Sequence, residues 1–89
     1  MMTSKQKWFI GKLMKEIEEL DENSNFFNDL NYANKNFDMY MVTVAEASED
    51  IQYLLDVKER MEKENKTFKE ARKNWLDEVF YPKMEARFN

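Results

Sequence analysis

Carboxylates recur at one-turn spacing along this chain: Glu16 with Glu19, Glu46 with Asp50, and Glu59 with Glu62. Pairs three or four residues apart share a helix face, where burial would let them ligate a metal or share a proton. Neither chemistry finds its usual helpers. The chain has no histidine and no cysteine, which removes the ordinary general base, the thiolate nucleophile and the usual zinc ligands. A di-iron bundle needs Glu-x-x-His, so these pairs read as the solvated faces of Glu-rich helices. No serine sits in a Gly-x-Ser-x-Gly turn, and a single glycine makes no phosphate cradle. Asp21-Glu22-Asn23-Ser24-Asn25 begins like a calcium loop, but Phe26 stands where the sharp turn needs glycine and Tyr32 where a bidentate Glu is required. The expectation is a non-enzyme with no cofactor and no metal.

Two surface constellations remain. In the first helical segment Lys5, Lys7, Lys12 and Lys15 come first and Glu16, Glu18, Glu19, Asp21 and Glu22 come last. That order opposes the helix macrodipole, whose positive end prefers acids. The charges read either as a solvated surface or as a split basic and acidic patch for a partner. Trp8 points away from the apolar stripe of the same segment, as an indole wrapped over another helix or as an exposed partner-binding anchor. Together with Glu49, Asp50 and Asp56 on the polar face of a later helix, Trp8 and the acids from Glu16 to Glu22 are the candidate contacts to a protein partner. Such acids could also imitate phosphates, although the interspersed Lys and Arg weaken that field. The second constellation is basic: Lys66, Lys69, Arg72 and Lys73 surround Phe68 and Trp75, as a nucleic-acid patch would. Helical spacing puts both aromatics on the core stripe.

Helices must position all of these. From Thr43 to Tyr81 steps of three and four pick out Ala47, Ile51, Leu54, Lys58, Met61, Asn65, Phe68, Arg72, Trp75 and Val79, the seam of a helix facing a partner. Lys58, Asn65 and Arg72 fit such a seam only at an end, at the surface or opposite a counter-charge. Three capping boxes open helices at Thr3, Thr43 and Thr67. The boundaries expected are 4–20, 26–40, 44–63 and 68–80, with Pro82 ending the last helix before a tail at 82–89, whose Met84 and Phe88 are apolar. The asparagine-rich 26–40 segment has a strand at 37–42 as its competing reading. A rod from Thr43 to Phe80 would be roughly 57 Å long, against a radius of gyration of about 12 Å for a compact domain of this size. So either the chain breaks near Asn65 and folds as a bundle, or a second copy covers the rod.

One glycine and one proline in 89 residues leave little material for hairpins, which favours an all-α fold, a small bundle of three to four helices in one domain. No apolar run is long enough to span a membrane, and Met1-Met2-Thr3-Ser4-Lys5 leads into a helix without a secretory signal, so a cytoplasmic protein is expected. The net charge of −4, well mixed along the chain, favours solubility over a nucleic-acid or membrane surface.

Thr3-x-x-Gln6-x-x-Phe9-Ile10-x-x-Leu13 and Thr43-x-x-Glu46-Ala47-Ser48-x-x-Ile51-x-x-Leu54-Leu55 together resemble small phage and prophage proteins of unknown function. In that group a T-x-x-Q-x-x-x-I-x-x-L helix precedes a T-x-x-E-A-S-x-x-I-x-x-L helix, sometimes as a tail on DNA-handling proteins. The insertion between the two is longer and richer in Asn here, and Phe68 to Phe80 lies outside the pattern. The resemblance implies a setting: an accessory protein working near DNA metabolism or host defence. The resulting expectation is a phage-type regulator or inhibitor that binds a macromolecule, most simply a host protein. Its alternatives are a nucleic-acid module using the Lys66–Lys73 patch and a structural homodimer joined along the seam.

Overall fold

The computed structural model describes residues 1–88, and they are all-α, with no strand among the described residues. Helix α1 runs Ser4–Leu20, α2 Asn31–Asn34, α3 Val44–Glu64, α4 Phe68–Trp75 and α5 Tyr81–Phe88. All three capping boxes form. The Thr3, Thr43 and Thr67 hydroxyls accept from the Gln6, Glu46 and Glu70 amides, and those side chains accept the capping residue's own N–H. Each box satisfies two N–H groups that a helix start leaves unpaired.

The break lies where the seam carried Asn65. Its φ of 52° and ψ of 47° are left-handed, and the Lys66 N–H donates to the Met61 carbonyl at 3.2 Å. Asparagine tolerates that conformation better than most residues, so α3 stops and α4 folds back against it. The long rod therefore never forms. Helix α3 is the centre of the fold, with α1, α2 and α4 all packed on it in a slab 39 × 34 × 18 Å. Ile10, Leu13 and Ile17 of α1 share the core with Leu54, Val57 and Met61 of α3 and with Phe68 and Ala71 of α4. Of the seam's apolar members, Ala47, Leu54, Met61 and Phe68 are buried within one chain and Ile51, Trp75 and Val79 are partly buried. Its polar members are answered too, because Lys58 meets Glu16 at 3.2 Å and Arg72 meets Asp29 at 2.7 Å.

Two expected elements differ from what forms. The 26–40 segment is not one helix: one turn at Asn31–Asn34 and a 3-10 turn at Met39–Met41 flank a reversal in which Asn36 and Phe37 take φ of 55° and 60°. Phe26, Leu30 and Ala33 do point inward as the spacing required, while Phe37 and Tyr40 are exposed. Weak helix propensity in the asparagine run lets that reversal compete. The strand at 37–42 does not form either, because the positive φ at Phe37 and the 3-10 turn at Met39–Met41 leave no extended run there. Phe37 is held in its uncommon backbone state by edge-on contact with the Tyr32 ring at 5.2 Å and by its N–H donating to the Tyr32 carbonyl.

Pro82 does not end the last helix either. Leu76–Phe80 widen into a π turn, the Tyr81 N–H donates to the Leu76 carbonyl five residues back, and the helical path continues to Phe88. A proline ring would clash with the carbonyl four residues earlier in an α-helix, and the wider turn relieves that clash. Met84 is half-buried on this extension, whereas the Phe88 side chain and Asn89 lie outside the described residues.

Candidate interaction surfaces

The paired motifs meet in space. Gln6, having closed its own box, donates through Nε2 to the Val44 carbonyl at 3.1 Å and to Ser48 Oγ at 3.3 Å, which clamps the start of α1 to the start of α3. Glu46 closes the second box and also takes Lys35 Nζ at 3.2 Å, while Lys35 donates to the Met41 carbonyl. The Thr43 N–H and then Lys35 hold the Glu46 carboxyl below the usual carboxylate range. These motif residues are joints of the scaffold.

Of the nine candidate partner contacts, four are turned inward or tied to other elements. Asp50 is 2% exposed and accepts from the Asn31 N–H at 2.8 Å, the Tyr32 N–H at 3.0 Å and Asn31 Nδ2 at 3.2 Å. It caps α2 from another helix, because Leu30 at the capping position has no acceptor. Burial pushes its carboxyl up, against those three hydrogen bonds. Asp50 is therefore corrected from a surface contact to a core cap. Asp56 accepts from the Trp75 indole at 3.2 Å, and Glu16 pairs with Lys58. Asp21 accepts from the Phe68 N–H at 2.9 Å and from the Asn23 N–H, which together hold its carboxyl low. That bond ties the end of α1 to the start of α4.

Sequence reasoning missed the main polar knot of the interior. Asp29, its side chain 7% exposed, accepts the Tyr53 hydroxyl and two Arg72 nitrogens, Nε at 2.7 Å and Nη2 at 2.8 Å. Burial and then the Asp29 bond push the Tyr53 phenol up, and Asp29 raises Arg72. The signal was Arg72 on the seam, which demanded an acid, but nothing in the spacing singled out Asp29. The basic patch is correspondingly reduced. Arg72 is committed to Asp29, Lys66 and Lys73 lie 3.5 Å from Glu64 and Asp77, and Phe68 is buried edge-on against Phe26. Lys69 alone of the four has no ion pair among the described residues. Trp75 packs on Tyr53 at 4.7 Å, on the core side as its spacing required.

The outward face of α1 is built differently. Trp8 is 65% exposed, the outward of its two readings, with Lys12 Nζ 5.3 Å from its ring centroid. Next to it lies Gly11, where an added Cβ would meet no atom within 4 Å. Two shallow hollows flank Gly11 and share Lys7 and Lys15: one is bounded by Trp8 and Lys12, the other by Met14, Glu18, Tyr32 and the exposed Phe37. Lys5, Lys7, Lys12 and Lys15 enter no ion pair among the described residues. Farther along, Glu18 and Glu19 on the same helix and Glu22 in the turn after it also enter no ion pair among the described residues. Glu49 is not part of this face: it lines a groove of ≈ 470 Å³ between α3 and the Phe68–Phe88 helix, with Asp56, Phe80, Lys83 and Arg87.

No helix among the described residues is long and apolar enough to cross a membrane. Comparison with protein-family models, with curated proteins and with solved structures finds no match.

Proposed function

We propose that this chain is a non-enzymatic accessory protein that acts by docking on another protein through the outward face of α1. The observation that carries the reading is Trp8, a large aromatic left 65% exposed on a helix whose other side is fixed in the core. A tryptophan on a rigid helix offers a large contact area with little side-chain entropy to lose, which is why interfaces favour it. The interior carboxylates support the non-enzymatic part, since Asp29 and Asp50 are already engaged as structural acceptors by Arg72, Tyr53, Asn31 and the Tyr32 N–H. The resemblance of the two capped helices to phage and prophage proteins supplies the setting, a cytoplasmic regulator or inhibitor of a host protein in DNA metabolism or defence.

Trp8→Ala and Lys69→Ala forms, each tagged and recovered from the cells that make the protein, test this. The first should lose the co-purifying protein by about tenfold and the second should keep it, with both melting as the parent does because neither side chain supports the core. Retention by Trp8→Ala, with a nuclease-sensitive loss in Lys69→Ala, would transfer the function to the basic patch and to nucleic acid.

A further inference from the structure

The charge pattern around Trp8 restricts what can dock there. Lys7, Lys12 and Lys15 line the hollow between Gly11 and Trp8, Glu18 lines the neighbouring hollow toward Phe37, and the sign has reversed by Glu19 and, just past the helix, Glu22. A ligand that follows the helix must reverse its own sign over roughly 25 Å, the length of α1 at about 1.5 Å per residue. A polypeptide can do this. A nucleic-acid strand carries one sign throughout and would run from the lysines into the carboxylates. A second copy of this chain meets two obstacles. Placing Trp8 in the Gly11 hollow of a twofold mate brings the lysine ends together, and a strip about 25 Å by 10 Å falls far below the ~800 Å² per partner of a stable dimer. The strip suits one short segment of another protein.

We infer that the partner presents a short segment whose acidic stretch lies over Lys7, Lys12 and Lys15, with an apolar side chain seated in the Gly11 hollow against Trp8 and basic residues opposite Glu18, Glu19 and Glu22. This inference rests on the docking role proposed for α1 and adds the chemistry of what docks. The apolar group covers the indole, and the carboxylates neutralise lysines that pair with no acid among the described residues. Because the lysines are exposed, attraction acts mainly on encounter and is screened by salt.

A synthetic peptide Glu-Glu-Leu-Glu-Glu-Leu-Ala-Lys-Leu-Lys, its charge-reversed counterpart and an oligothymidine serve as probes against the full chain labelled with ¹⁵N. The Trp8 indole N–H reports the site, and the Trp75 indole, bonded to Asp56, is the internal control. The acid-first peptide should move the Trp8 signal and leave Trp75 in place. Its charge-reversed counterpart should bind about tenfold more weakly, as should the acid-first peptide to the triple variant Lys7→Glu, Lys12→Glu, Lys15→Glu. Gly11→Leu fills the hollow without lowering helix propensity and should weaken the peptide similarly. Equal binding of both peptides, preferential binding of the oligothymidine, or no movement of Trp8 with any probe would overturn the inference. If Trp8→Ala nevertheless loses the native partner, the docking role stands and only the assigned chemistry fails.

Discussion

Asp50 shows how one residue can be read two ways. Its spacing from Glu46 suggested an acidic surface, yet its carboxylate is the buried acceptor that lets α2 begin without a cap of its own. Replacing it with alanine leaves two backbone N–H groups without partners, so Asp50→Ala should lower stability by about 2–3 kcal/mol, measured as a urea midpoint. The pH dependence follows from opposing shifts. Asp21, Glu46 and Glu70 are held low in the fold, so their stabilisation is present above their unfolded values and is lost as pH falls through their folded ones. Asp50 is raised, so its contribution has the opposite sign, present at low pH and lost as pH rises through its folded value. The urea midpoint should therefore fall between about pH 6 and about pH 3, and more steeply in Asp50→Asn, which removes the opposing group. A midpoint that rises on acidification would contradict these assignments.

Among elements, the turn at Asn65 decides the architecture. The unbroken apolar phase from Ala47 to Val79 argued for one rod, while Asn65 and the Thr67 box argued for a break. The box prevails because a left-handed residue costs asparagine little, and folding back lets α4 bury Phe68 and Ala71 against α3. Asn65→Gly should be neutral or slightly stabilising, whereas Asn65→Val should cost about 1–2 kcal/mol, read from thermal melts of both variants. The helix starts capped by Thr3, Thr43 and Thr67, and the ends near Leu20 and Glu64, could be read from sequence to within a residue or two. Residues 26–41 and the stretch around Pro82 could not. Positive φ at Phe37 depends on packing against Tyr32, and a π turn depends on which carbonyl the Pro82 ring must avoid; neither leaves a periodic trace. The surface was readable in its charges but not in their use, since local spacing does not say that Asp21 will bond Phe68 or Asp29 will bond Arg72.

For the whole molecule, covering the seam within one chain has a direct consequence. The apolar stripe that might have recruited a second copy is spent on α1 and α4, and Lys58 and Arg72 on it find Glu16 and Asp29 in the same chain. Sedimentation should therefore show a monomer whose mass does not change with concentration. Because Arg72 closes the knot on the nearly buried Asp29, Arg72→Ala should lower stability by about 2 kcal/mol, less than for a fully buried pair since the guanidinium is partly solvated. The docking role we propose rests on the outward face of α1, where Trp8 is 65% exposed. The most direct test places a photo-crosslinking amino acid at position 8 in one form and at position 69 in another, in the cells that make the protein. A discrete protein adduct from position 8, absent from position 69, is the expected result. Adducts from position 69 alone would contradict the account.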